Sequence, residues 1–258
     1  MNDSPIIVMK FGSSILADVD CVPRAVHAIY RHVQKGERVI AVVSALEGET
    51  DQLLSMVDKL DADADPHRIA SFVGTGETRS ALLLSMALER VGLTTQLLSP
   101  ESIGLQAKGL PLDSDPYSVN VTALHGCMSD HQVAVLPGFI ACDPQGRTVL
   151  LGRGGSDDTA LFVAQQLKAD CRLVKDMDGI FERDPSEPGP TPQRFKTITW
   201  QDALKVAGKL VQPKAIEFAQ QHQMSFEVAS IGTTGGTLVG PGPTCLAEEP
   251  HPDHGPLR

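Results

Sequence analysis

Apolar residues along this chain come in short unbroken runs that alternate with segments whose apolar positions recur every three or four residues. That is the pattern of strands buried on both faces and joined by amphipathic helices. Ile6-Ile7-Val8-Met9 is such a run, and it stops at Lys10-Phe11-Gly12-Ser13-Ser14, so it predicts a buried strand entering a tight turn. From Asp20 onward, Val22, Val26, Ile29 and Val33 share one helical face, Lys35-Gly36 closes the element, and Val39 to Val43 returns as a second buried strand. The three together predict a βαβ unit. Helical spacing recurs from Thr50 to Leu60 and, after the acidic loop Asp61 to Pro66, in a long segment reaching about Arg90.

Further strands are predicted at Thr95 to Leu98 and Val133 to Leu136, whereas Leu110 to Asn120 is too rich in Pro, Asp and Ser to assign. Pro137 to Ile140 and Thr148 to Leu151 flank Asp143-Pro-Gln-Gly146, which has hairpin turn chemistry. Gly152 to Ala160 opens a helix running to about Ala169, and Arg172 to Asp176 follows as a strand. Four prolines between Pro185 and Pro192 force an extended surface loop. Thr199 is placed to cap a helix over Trp200 to Val206, Pro213 starts another through about His222, and Ser225 to Ser230 and Thr237 to Val239 supply closing strands. From Gly240 onward the chain is expected to be a disordered tail. Alternating elements of this kind predict an α/β fold with a mainly parallel sheet covered by helices, in one main domain over residues 1–240 with a tail over 241–258.

Charge narrows the function classes. The formal net charge of -10 opposes any partner bound through phosphate-backbone neutralisation, so neither nucleic acid nor an anionic membrane is expected as a partner. The first residues lack the basic start and apolar run of a secretory signal, and no apolar run approaches membrane-spanning length, which predicts a soluble, cytoplasmic chain. Five scattered cysteines, without CxxC pairs, read as reduced thiols. His251 and His254 lie in a Pro-rich tail and read as solvated, so no transition metal is assigned.

Two segments carry phosphate chemistry. Lys10 at a strand end, followed by Gly12-Ser13-Ser14, can present an ammonium and a nest of amides to one phosphoryl group, although a lysine and glycine there are also ordinary turn formers. Gly152 to Ser156 places three glycines, Arg153 and a hydroxyl ahead of a helix N-terminus, where free amides and the helix dipole attract an anion. A plain hairpin-to-helix connection would use the same glycines. The pattern is neither a Walker loop nor a dinucleotide GxGxxG turn.

Taken together, these residues resemble the amino acid kinase superfamily and, within it, the catalytic domain of aspartate kinases, over about residues 5 to 240. Lys10-Phe11-Gly12-Ser13-Ser14 is similar to that family's KFGGTS, Val43-Ser44-Ala45 with Thr50-Asp51 to its VSA…TD, and Gly76-Glu77 to its GE. Gly138-Phe139 also fits, Leu151 to Asp157 with Thr159-Ala160 reproduces LGRGGSD-x-TA, and Lys175 to Pro185 is similar to TDVDGIYTADP. The resemblance implies a three-layer α/β/α sandwich whose central, mostly parallel sheet has about eight strands, with the amino-acid side N-terminal and the nucleotide side C-terminal. It also implies ATP and Mg²⁺ as cofactors, the magnesium held mainly through the ATP phosphates, a small amino acid as substrate, and a homodimer.

Site roles follow by the same analogy. Lys10 neutralises the transferring phosphoryl group, backbone at Gly12 and Ser13 holds its oxygens, and Asp157 positions the lysines. Glu77 accepts the substrate ammonium, Arg153 pairs with the α-carboxylate, and Thr50 and Ser156 hydrogen-bond the carboxyl groups. Lys175, Asp176, Phe181, Arg183 and Lys209 line the nucleotide site, with Lys209 reaching the phosphates. The chemistry needs no protein nucleophile, because the acceptor carboxylate is itself an oxyanion; positioning and charge neutralisation remain for the protein to supply.

The departures from the family pattern bear on turnover. Ser13 stands at its second glycine, Ile15 at its serine, Lys175 at the threonine of TDVDG, Phe181 at a tyrosine, Ser186 at an arginine and Gln212 at the histidine of LHP. Aspartate kinases continue into paired ACT domains, and this chain ends shortly after Val239, so the expectation is a catalytic domain without their feedback control. The expected reaction is ATP-dependent phosphorylation of L-aspartate to 4-phospho-L-aspartate. A kinase for another small amino acid, or a non-catalytic amino-acid or nucleotide-binding subunit, are the alternatives.

Overall fold

The computed structural model describes residues 4–60, 63–208, 210–233 and 235–248. The first apolar run forms β1 (Ile6–Phe11), and the helical face read from the sequence forms α1 (Val22–Gln34), with Val22, Val26, Ile29 and Val33 all buried. The N-terminal half continues through β2 (Arg38–Val43), α2 (Glu49–Leu60), α3 (Pro66–Val73), α4 (Thr75–Arg90), β3 (Thr95–Leu97), β4 (Gln106–Leu110), β5 (Asp113–Ser118), α5 (Val121–Asp130) and β6 (Val133–Pro137). The C-terminal half comprises β7 (Ile140–Cys142), β8 (Thr148–Leu150), α6 (Gly155–Leu167), β9 (Asp170–Val174), β10 (Phe195–Thr199), α7 (Trp200–Val206), α8 (Pro213–Gln221), β11 (Phe226–Ala229), β12 (Thr237–Gly240) and β13 (Cys245–Leu246).

One sheet has nine strands in the order β13-β10-β12-β11-β9-β1-β2-β6-β3. Its pairs are parallel except β11 with β12 and β10 with β13. Alternate residues of the central strands divide between two cores. Val8, Ile40 and Val42 pack into the cluster with α5, α6 and α8, while Ile7, Met9, Phe11, Val39, Ala41 and Val43 pack with α1 and α4. Burial on both faces explains why these strands read as unbroken apolar runs, and it makes the three layers the resemblance implies.

Two expectations change, and one open stretch is assigned. The main sheet has nine strands rather than about eight, and a separate four-stranded sheet, β5-β4-β7-β8, stands beside it. The stretch that resists assignment from sequence, Leu110 to Asn120, contributes β5, an edge strand that tolerates Pro116 because only one side of it needs a ladder. The expected tail does not begin at residue 241: Cys245–Leu246 pairs antiparallel with β10, and Thr197 Oγ1 donates to the Pro243 carbonyl at 2.7 Å. Residues 249–258, with His251 and His254, lie outside the described residues. The five cysteines are all free thiols. Among the described residues no helix is long and apolar enough to cross a membrane.

Candidate active site

Sheet alternation aims the first lysine. Lys10 follows Met9, which faces α1, so its side chain leaves β1 on the α6 face, just where the strand ends. The chain then turns sharply: Ile15 and Leu16 both donate their N–H groups to the Gly12 carbonyl at 3.0 Å. A Cβ on Gly12 would lie only 3.1 Å from Lys10 Nζ, so the glycine keeps open the space the ammonium occupies. Lys175 emerges on the same face by the same rule, because Val174 before it packs toward α1 and is paired in register with Phe11.

Between the two ammonium groups sits Asp157, in the first turn of α6. Its Oδ1 is 2.8 Å from Lys10 Nζ and its Oδ2 2.9 Å from Lys175 Nζ. All three side chains are buried. Burial pushes Lys10 down to about 8, helped by the nearby Lys175 and opposed by Asp157. For Asp157 burial acts upward, yet the two ammonium groups outweigh it and hold the carboxyl below its ordinary value. One carboxylate facing two cations leaves the cluster with a surplus positive charge, and all three side chains line one cavity.

That cavity, about 570 Å³, collects most of the residues singled out by sequence: Lys10, Ser13, Thr50, Glu77, Arg153, Ser156, Asp157 and Lys175. Glu77, in the first turn of α4, is 2% exposed. Its Oε1 accepts from Ala45 N–H at 3.3 Å, while Oε2 has no hydrogen-bond partner among the described residues. Burial pushes this carboxyl up to about 7; the Glu77 and Ala45 amides act downward, Glu49 upward and Lys10 downward. A buried carboxylate oxygen without a donor is a site for an incoming cation. Arg153 is exposed in the glycine loop before α6, where Gly154 caps the helix in a left-handed conformation, φ 81°. A Cβ on Gly154 would fall 2.6 Å from Gln212 Cγ, so only glycine lets α8 approach this closely.

The residues assigned to the nucleotide side are not gathered in the same way. Lys175 joins Asp157 instead. Asp176 is exposed, Phe181 forms an isolated bridge with Arg194, and Arg183 is engaged with the Glu187 and Pro188 carbonyls at 3.4 Å. Lys209 lies outside the described residues. Gly12 is buried beside Lys10.

Sequence reading missed Leu112, Phe139 and Gln212 as cavity-lining residues. Phe139 holds φ 65°, a rare conformation for a non-glycine residue, and its amide donates to Thr159 Oγ1 at 3.2 Å. Its place after Gly138 is the only local hint. Leu112 gives none, since it reaches the cavity through the pairing of β4 with β5.

Similarity to known proteins agrees with this geometry. The family model described as the amino acid kinase family matches residues 5–230. Aspartokinases from Geobacillus stearothermophilus and Pseudomonas aeruginosa are 29% and 30% identical over 239 residues, which is 91% of this chain and 58% of each relative. The chain thus spans little more than half the length of those relatives. Among solved structures, aspartate kinase from Synechocystis superposes with a TM-score of 0.79 at 28% identity, covering 92% of this chain and 40% of that one. E. coli aspartokinase III in complex with aspartate and ADP superposes at 0.77 with 22% identity, covering 91% and 64%, a likeness of fold alone. Family model, fold and the order of the motifs coincide: the chain belongs to the amino acid kinase family.

Proposed function

We propose that this chain transfers the γ-phosphoryl group of ATP to the side-chain carboxylate of L-aspartate, giving 4-phospho-L-aspartate and ADP. The observation that carries the reading is the Lys10–Asp157–Lys175 cluster in the same cavity as Glu77 and Arg153. Two anions must meet for this reaction. The buried ammonium groups offset their repulsion, and the low dielectric around them magnifies the effect. A carboxylate oxygen of the acceptor attacks the γ-phosphorus in line, the bond from that phosphorus to the β–γ bridging oxygen breaks, and its electron pair leaves on ADP.

In this assignment Lys10 and Lys175 face the transferring oxygens, amides at Gly12 and Ser13 hold them, and Asp157 keeps both lysines in place. Glu77 takes the substrate ammonium with its free oxygen. Arg153 grips the α-carboxylate bidentately, and Thr50 and Ser156 donate to the carboxyl groups. Asp176, Phe181, Arg183 and Lys209 remain the nucleotide-side assignment, by analogy with the family. Mg²⁺, arriving on the ATP phosphates, supplies further charge neutralisation. The donor set fits that route, since the carboxylate nearest the lysines, Asp157, is already committed to both. The likeness to aspartokinases at 29% and 30% identity supports aspartate as the acceptor.

The test is ADP release with Mg²⁺-ATP and a panel of amino acids, the acyl phosphate being trapped with hydroxylamine. Aspartate-dependent hydroxamate is expected. Hydroxamate from another amino acid reassigns the acceptor, and none with any amino acid refutes the reaction. Arg153→Ala is expected to raise KM for the amino acid more than for ATP.

A further inference from the structure

A lysine in the first turn of a helix meets the positive end of the helix dipole, so Lys214, the second residue of α8, needs a local reason to be there. Five oxygens provide it. The ammonium lies 2.9 Å from Asp115 Oδ1, 3.0 Å from the Leu151 carbonyl and 3.3 Å from the Ser114 carbonyl, which accounts for its three N–H groups. Asp158 Oδ2 at 3.5 Å and Asp113 Oδ1 at 3.7 Å add attraction without a hydrogen bond. Asp158 is buried, and neither of its oxygens has a hydrogen-bond partner among the described residues. Burial pushes this carboxyl up to about 7, and Lys214 is the cation that acts against that rise.

These oxygens come from parts of the chain distant from α8. Asp113, Ser114 and Asp115 belong to β5, Leu151 opens the glycine loop, and Asp158 sits in the first turn of α6. The loop carries Arg153 and the turn before β5 carries Leu112, and both line the active-site cavity. Asp113 also presses on that loop, since a Cβ on Gly152 would fall 2.1 Å from its Oδ1. One side chain thus ties together the two walls between which the amino acid would lie.

We propose that Lys214 is a positioning residue for the amino-acid end of the site: by joining β5 to the Leu151–Gly154 loop it fixes Leu112 relative to Arg153, and with them the acceptor the cavity admits. The inference rests on the reading of this cavity as an amino-acid site. Lys214 itself touches no reacting atom. Its loss acts on the grip of the amino acid and leaves the Lys10–Asp157–Lys175 cluster intact.

Two measurements on the full chain test this, with Lys214→Met and Lys214→Arg as the variants. In steady-state kinetics, Lys214→Met is expected to raise KM for aspartate about tenfold, the scale of one lost charged hydrogen bond, with KM for ATP within about twofold, and Lys214→Arg to recover most of the loss. In amide hydrogen exchange without ligands, Lys214→Met is expected to speed exchange in Asp113–Ser118 and Gly152–Gly154, leaving Val8–Phe11 as in the parent. Equal rises in both KM values, or a lower Tm with unchanged exchange in both segments, overturn the proposal. If the parent chain makes no hydroxamate, the proposed reaction falls, and the exchange data alone decide for or against Lys214.

Discussion

Replacing Glu77 by Gln should make the folded chain more stable and its use of the amino acid worse, and the size of the gain should depend on pH. Burial moves the proton affinity of Glu77 from the ordinary value of 4.5 to about 7. Between those two pH values the folded chain holds a proton there that the unfolded chain has released, so this residue's contribution to stability is complete below pH 4.5 and is lost as pH rises through 7. At about 1.4 kcal/mol per tenfold change in affinity, the loss is about 3 kcal/mol. Glutamine keeps an oxygen for the Ala45 amide and cannot ionise, so it escapes the loss. Asp158 titrates in the same direction in both proteins and cancels in the comparison. Urea unfolding at a series of pH values, followed by far-UV circular dichroism and by the fluorescence of Trp200, the single tryptophan, reads the difference. It should grow from near zero at pH 4.5 to about 3 kcal/mol at pH 8. A difference that stays constant across that range would refute the reasoning, because the charge on Glu77 would then play no part.

Two more outcomes follow from the same geometry. With Lys10 held near 8 by burial, kcat/KM for ATP should fall as pH rises through that value, since the neutral amine no longer offsets phosphate charge; a profile flat to about pH 10 would contradict the role of this lysine. Gly154→Ala forces a left-handed residue against Gln212 and should cost about 1–3 kcal/mol in urea unfolding, whereas Gly126→Ala, inside α5 with open space for the new carbon, should be neutral or slightly stabilising.

Much of this fold is legible in the sequence where local pattern and tertiary environment agree. β1, β2 and β6 are apolar on both faces and buried on both faces, and Thr199 caps α7 as its position suggests, its hydroxyl accepting from Asp202 N–H at 3.1 Å. Disagreement arises where a neighbour decides. β5 carries Pro116 and four Asp or Ser residues, and only the ladder to β4 makes it a strand. β10 and α5 were not anticipated either; Gly126 weakens the helical signal of α5. In the site, Lys10 and the glycine loop announce themselves as motifs. The partnership of Lys175 with Asp157 does not, because it depends on the parallel register that sets Val174 beside Phe11.

The fold itself holds the two ammonium groups on either side of Asp157, on strands whose register fixes them. In water, a migrating phosphoryl group must wait for solvent dipoles to swing round, and that rearrangement is part of its barrier. In the proposed transfer that swing would already be made when the protein folds, at the expense of crowding like charges in a dry interior.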